Sequence, residues 1–215
     1  AVTSSTDTSV IQLEAVTNQE GRAQVRKYKW EVLIKEGSHT TIAAESQGAM
    51  TTIATDFGRF NNNTLWNRTT DRKYYGPITG SQWQRIKAIV SGGITNYFRI
   101  RGGNLLMSPT PTAGEAVNFE YVSKNWVDTS GGSTANADKF TGDSQTTVLE
   151  EELIVLGVVW RFLKLKGLPY DQQFLEYQTR MIEYTNQDGA KPILRMAGPG
   201  RAILALNEPE GNYTL

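Results

Sequence analysis

The sequence predicts an α+β fold: a helical bundle formed from the N- and C-terminal segments, an inserted mainly-β domain, and an extended C-terminal arm. Three observations lead there. Helical periodicity fills residues 4–36 and 147–187, at the two ends of the chain. Between them, β-branched and aromatic residues dominate and turn formers recur, as in NNN, YYGP, SGG, RGGN, SPTPTAGE and TSGGS. After Gly189 come Pro192, Pro199 and Pro209 with Gly198, Gly200 and Gly211, which forbid a long helix. The expected division is an N-terminal helical segment at 1–37, a β-domain with one short helix at 38–146, a second helical segment at 147–189 that completes the bundle, and the arm at 190–215.

The first helix is expected over residues 4–36, with SSTD as the capping segment and Gly37 as the stop. Val10, Leu13, Val16, Val25, Tyr28 and Val32 fall near one stripe, and the small Gly21 shares it. Glu14, Glu20, Arg22, Lys29 and Lys35 mark the opposite, solvated face. In the β-domain, Val117, Phe119 and Tyr121 alternate with Asn118, Glu120 and Val122, the period of a strand. SQWQRIKAI reads as a short helix capped by Ser81, with Trp83 and Ile86 inward.

Helical signals return with TVLE, a capping box in which Thr147 is the cap and Glu150 stands three residues on. Leu149, Leu153, Leu156, Trp160 and Leu163 form one stripe; Ile154, Val155, Val158, Phe162 and Leu165 form most of another. A soluble helix apolar nearly all round needs cover on most sides. A third helix runs from about Pro169 to Gln187, with Tyr170, Phe174, Tyr177, Met181 and Tyr184 on one stripe. The arm is too apolar for a free tail, through Ile193, Leu194, Ile203, Leu204, Leu206 and Leu215, and so calls for a partner surface.

Composition narrows the function. The 215 residues carry 22 basic and 22 acidic side chains, whereas a dedicated nucleic-acid binder is strongly basic. The balance hides two blocks. Residues 55–103 hold eight basic against two acidic side chains, and residues 104–155 hold two against eight, or +6 and −6. Such asymmetry suits self-association or a charged partner. The absence of cysteine excludes disulfides, thiolate metal sites and cysteine nucleophiles. His39 is the one histidine, which thins the enzyme hypotheses. No secretory leader is visible, and no apolar run reaches the ~20 residues of a membrane span.

The glycine pair in FRIRGGNLLMSP lacks the spacing of a phosphate-binding loop and is followed by a strand-like run, so it reads as a hairpin turn. Arg99 and Arg101 alternate on one strand and share a face, as a solvated pair or as a protein or phosphate contact. Glu150, Glu151 and Glu152 diverge around a helix and complement its N-terminal dipole rather than converge on an ion. Asp138 and Asp143 lack the ligand ladder of a calcium loop. His39 has no triad-type partners nearby in sequence. Trp30, Trp66, Trp83, Trp126 and Trp160 are spread over separate elements, as core anchors are. WNRTTDRKYY interleaves aromatic and basic residues, which suits either base stacking or an alternating half-exposed strand. No catalytic, metal or cofactor site emerges, and the expectation is a non-enzymatic protein without cofactors.

Five runs taken in order carry a resemblance: STDTSVIQLEAVTNQEGR, IAAESQGAMTTIATDFGRFNNNTLWNR, YYGPITGSQWQRIK, YFRIRGGNLLMSPTPTAGEAVNFEYVSKNWV and LGVVWRFLKLKGLPY. Together they resemble the head-to-tail adaptors of tailed bacteriophages, from about Ser4 to about Gly189 and most specifically over 97–127. Family members usually carry a further helix ahead of the first one here. The resemblance implies a structural virion protein assembled in the bacterial host cytoplasm: a homo-oligomeric, usually dodecameric ring at the neck. That ring sits beneath the portal at the capsid vertex, meets a downstream tail or neck protein, and lets double-stranded DNA pass through its lumen without sequence specificity. It implies no membrane partner.

Under that resemblance the arm engages the portal, with Ile193, Leu194, Arg195, Arg201, Ile203, Leu204, Leu206 and Tyr213 as candidate contacts. Arg68, Arg72, Arg99 and Arg101 are candidate tail or subunit contacts. Two rival functions fit some of the same residues: a nucleic-acid-binding protein using the basic 55–103 block, and a carbohydrate-binding tail accessory module.

Overall fold

The computed structural model describes residues 7–88, 95–132 and 134–189. Helix α1 (Thr8–Lys27) leads through a 3-10 turn (Glu31–Leu33) into β1 (Ile34–Thr40). Then come β2 (Ser46–Ala49), the single-turn α2 (Met50–Ile53), β3 (Phe57–Phe60), β4 (Trp66–Asn67) and β5 (Arg72–Tyr75). Helix α3 (Gly80–Ala88) precedes β6 (Asn96–Arg101), β7 (Asn104–Ser108) and the long β8 (Ala116–Ser123). A small ribbon, β9 (Val127–Asp128) with β10 (Thr146–Thr147), leads into α4 (Glu151–Leu165) and α5 (Asp171–Gln187).

The expected architecture, a helical bundle with an inserted β-domain, is corrected by this arrangement. The body is one eight-stranded sheet in the order β1-β8-β4-β5-β6-β7-β2, with β3 also paired to β8. The helices do not close a core of their own. Leu149, Leu153 and Ile154 of the α4 region and Met181 of α5 share one buried cluster with Leu33, Val122, Trp126 and Val127 from the sheet side. A second cluster is enclosed by the sheet itself, around Phe98, Leu105, Met107, Phe119 and Tyr121, with Met50 and Ala54 from the α2 turn. The expected C-terminal arm lies outside the described residues.

Helix α1 ends at Lys27, nine residues short of the expected end. The Trp30 indole N–H donates to the Gln24 carbonyl at 3.1 Å and folds the chain back over the last turn. The Arg59 guanidinium donates to the carbonyls of Arg26 and Tyr28, which the helix end leaves without partners. Residues 34–40 then pair antiparallel with β8, placing Gly37 opposite Phe119. The core-facing position of β1 is thus a glycine, and a Cβ there would stand 2.7 Å from the Phe119 ring. That is why IKEGSHT shows no apolar alternation although it is a strand.

The Gly102–Gly103 pair makes the expected hairpin. β6 and β7 pair antiparallel on either side of it, and both glycines have positive φ, at 58° and 79°. α3 is capped by Thr79 rather than Ser81: Thr79 Oγ1 accepts from the Gln82 N–H while Gln82 Oε1 accepts from the Thr79 N–H. Thr147 caps the turn leading into α4, accepting from the Leu149 N–H at 3.0 Å, and the helix proper begins at Glu151. No helix among the described residues is long and apolar enough to cross a membrane.

Candidate interaction surfaces

α4 lies between α1 and α5. Its inner side buries Leu153, Ile154, Gly157 and Trp160, and the Trp160 ring meets Tyr170, Phe174 and Tyr177 of the α5 region. The opposite side has no cover among the described residues. Val155 is 51% and Val159 40% exposed, one turn apart on the same face. On α5, Leu175 at 62% and Ile182 at 61% repeat over two turns, and Leu165 and Leu168 at the α4–α5 corner are more than half exposed. These side chains are too many and too aligned for scattered surface leucines and valines, which are normal when single.

Beside these apolar contacts, a buried polar network joins all three helices. Glu20, expected on the solvent face of α1, is fully buried together with Gln24. Its carboxylate accepts from Arg161 Nε on α4, from the Tyr177 hydroxyl on α5 at 2.7 Å and from Gln24 Nε2 at 3.0 Å. Burial, and then the Glu20 charge, push the Tyr177 hydroxyl well above the usual phenol range, so it stays a donor. Gly157 makes room for Glu20, and Gly21 makes room for the Trp126 indole on the next face. The trace of this network in sequence is the polar continuation of the Val16 stripe, at positions 20 and 24.

The four arginines singled out in the β-domain form two separate pairs. Arg68 is ion-paired with Glu36, and Arg72 stands exposed on the neighbouring strand of the β4–β5 hairpin, its register partner being Asn67. Arg99 is half-buried with its guanidinium against Gly80 at the start of α3, while Arg101 is exposed beside the Gly102–Gly103 turn. β5 and β6 run parallel with Tyr74 beside Asn96. Arg72 precedes Tyr74 by two residues and Arg101 follows Asn96 by five, which separates them by roughly 23 Å along the strands. Other cations of the 55–103 block also have partners within the chain, Lys87 on Glu45 and Arg59 on the α1 carbonyls. The WNRTTDRKYY hairpin lays Lys73 over the rings of Trp66 and Tyr75.

A different basic feature had no sequence signal, because its components come from distant segments. Arg22 and Arg26 of α1 face Arg59 of β3 and Lys124 beyond β8 across a cleft of about 600 Å³. Its floor is apolar, made by Val25, Phe57 and Val122. An adjoining hollow shares Arg22 and Arg26 and adds Lys139 and Arg161. Arg22 is loosely paired with Asp138 at 3.8 Å. Arg26, Lys124 and Lys139 have no side-chain partner among the described residues.

One further titratable group is structural in geometry. Asp56 accepts from Lys35 at 2.7 Å, Ser123 at 2.8 Å and the Tyr121 hydroxyl at 2.6 Å, tying the α2–β3 turn to β1 and β8. Burial acts to raise its pKa, but these three hydrogen bonds outweigh it and hold the carboxyl at about 2. Ser123 donates to this weak base and is not primed as a nucleophile. Glu152 of the acidic run bonds Arg180 and Tyr184, and Asp138 faces Arg22. Among the described residues, no three His, Cys, Asp or Glu side chains converge to hold a metal ion. His39 lies on β1, half-buried, with Nε2 unpartnered among the described residues. Trp30, Trp83, Trp126 and Trp160 are buried, while Trp66 is half-exposed on the sheet. The candidate portal contacts Ile193, Leu194, Arg195, Arg201, Ile203, Leu204, Leu206 and Tyr213 lie outside the described residues.

No protein-family model matches the sequence, and no curated protein matches it.

Proposed function

We propose that the chain is a head-to-tail adaptor of a tailed bacteriophage, a non-enzymatic ring subunit that joins the portal to the tail at the virion neck. The observation that carries this reading is the uncovered apolar face of α4 and α5, with Val155, Val159, Leu175 and Ile182 in aligned rows. A chain of this kind is completed by neighbours, and a closed ring covers the same face on every copy. The resemblance of the sequence to adaptors supplies the setting: a homo-oligomer, usually dodecameric, beneath the portal, with a downstream tail protein below it. In that setting the arm from Pro192 to Leu215 engages the portal, and duplex DNA crosses the lumen without base recognition. A near-neutral chain suits a conduit, because many phosphate contacts would hold the genome back.

Mass measurement of the purified full-length chain, alone and mixed with its portal, tests the reading. The expected result is a ring of many copies on the portal. A chain that stays monomeric with portal present overturns it. Deleting residues 192–215 is expected to abolish portal attachment while the far-ultraviolet circular dichroism stays unchanged.

A further inference from the structure

The basic cleft between α1 and β3 has an apolar floor and, in Arg26 and Lys124, cations with no side-chain partner among the described residues, a combination suited to a peptide that is both acidic and apolar. A phosphate backbone would use the cations and leave uncovered the apolar floor that the half-buried Val25 and Phe57 present to the cleft. We propose that the occupant is the chain's own segment Leu206–Leu215, which latches into this cleft in the free subunit. The inference concerns the chain without any partner and stands apart from the adaptor reading.

Three observations favour that occupant. The first is charge and composition. LNEPEGNYTL carries Glu208 and Glu210 with no basic residue, and adds Leu206, Tyr213 and Leu215 for an apolar floor. The second is spacing. Laid out extended, Glu208 and Glu210 present their carboxylates on one side, ~6.7 Å apart. Arg22 and Arg26, one helical turn apart on α1, offer cations at a similar ~6 Å. The carboxylate now loosely facing Arg22, Asp138 at 3.8 Å, leaves room for a better-placed one.

The third is reach. The described chain leaves the fold at Gly189, beside Glu31, with Asp188 accepting from the Glu31 N–H at 3.0 Å. Glu31 stands only three residues beyond Tyr28, whose carbonyl Arg59 holds at the end of the cleft. From Glu31 back to Arg22 is at most ~20 Å of chain, counting helical and extended rises. The seventeen residues from Gly189 to Leu206 span up to ~56 Å when extended, well beyond that need. Tethering on this scale gives the segment a millimolar effective concentration at the cleft, so modest contacts suffice. Docking onto a partner would then release Leu206–Leu215 from the subunit that carries it.

The test is zero-length carbodiimide coupling on the full chain, as an equal mixture of ¹⁴N- and ¹⁵N-labelled protein, read by mass spectrometry. Isopeptide bonds from Glu208 or Glu210 to Lys124 or Lys139, within one isotope type, are expected. Arg26→Glu should lower their yield about fivefold, the scale of one exposed charge pair, and Arg26→Gln should lower it by less. If Glu208 and Glu210 couple to other lysines or to none, the latch is overturned. Mixed-isotope products overturn it in favour of a second copy. If a duplex oligonucleotide binds the full chain through Arg26 and the isopeptides are missing, the cleft is a nucleic-acid site and the latch is likewise overturned. None of these outcomes depends on whether the chain assembles on a portal.

Discussion

The bare Cα of Gly157 faces the buried carboxylate of Glu20: a Cβ at position 157 would stand 2.5 Å from Glu20 Cγ and Oε1. Glu20 cannot move aside, because Arg161, Tyr177 and Gln24 all hold it. Gly157→Ala is therefore expected to destabilise the fold by about 3 kcal/mol, the upper range for overpacking. In a Glu20→Ala background the same change meets open space and gains helix propensity, so it should stabilise by about 1 kcal/mol. Urea denaturation of the four proteins measures both numbers. An additive pair of costs would disprove the shared space.

Glu20 itself is the partner whose loss matters. Glu20→Ala takes from the Arg161 guanidinium, the Tyr177 hydroxyl and Gln24 Nε2 the carboxylate that accepts from all three, with only Gln24 Oε1 left as an acceptor beside them. The expected cost is about 3–5 kcal/mol, the scale for removing one partner of a buried pair. Arg161 is 21% exposed and can turn partly to water, which favours the lower end. Glu20→Gln keeps an acceptor for Tyr177 and should cost less than half as much. Equal losses for the two variants, read from chemical denaturation, would mean that the Glu20 charge facing Arg161, rather than its volume or its neutral hydrogen bonds, holds the three helices.

Asp56 predicts an acid-dependent stability. Its carboxyl sits at about 2 in the folded chain, below the ordinary value of 3.8. A depressed folded value means that the unfolded chain binds the proton first as pH falls. The contribution is therefore complete above pH ~5 and is lost as pH drops toward 2. The shift corresponds to about 2 kcal/mol, since one unit is ~1.4 kcal/mol. The stability gap between wild type and Asp56→Asn should be flat above pH 5 and close by that amount at pH 2. A gap that persists unchanged at pH 2 would remove Lys35, Tyr121 and Ser123 as the cause.

The elements legible in sequence are those whose burial is carried by apolar periodicity or turn chemistry. β8, the Gly102–Gly103 hairpin, α4 and α5 belong here, with Phe119, Trp160, Tyr177 and Met181 inward. β1 is hidden because its core position is Gly37, and the apolar atoms there belong to Phe119 on the neighbouring strand. Glu20 is hidden because a carboxylate reads as solvated until its partners, 141 and 157 residues away, are folded against it. The fold class escapes the sequence for a related reason. Leu33 falls inside the expected first helix and Val122 on the strand face shared with Asn118 and Glu120, whereas both pack with Trp126 in one cluster with Leu153 and Met181. The basic cleft draws Arg22 and Arg26 from one end of the chain, Arg59 from a short strand and Lys124 from a loop, so no local charge count reveals it.

The apolar face of α4 gives the sharpest test of assembly. Val155 and Val159 lie one turn apart, about half exposed, on a helix whose other sides are covered by α1 and α5. In the isolated subunit, Val155→Lys with Val159→Lys exchanges partly solvated methyls for solvated ammonium groups. Each change should move folding stability by no more than about 0.5 kcal/mol, the range of ordinary surface substitutions. If the same face is covered by a neighbouring copy, two lysines there must be desolvated without a partner, which is strongly unfavourable. The double variant should therefore fold with wild-type denaturation behaviour yet remain a single subunit when mixed with portal. Leu175→Lys with Ile182→Lys on α5 reads out the second row in the same way and shows which row the neighbour covers. Mass measurement of the mixtures decides the matter: a double variant on α4 that assembles as fully as wild type would place the subunit interface elsewhere.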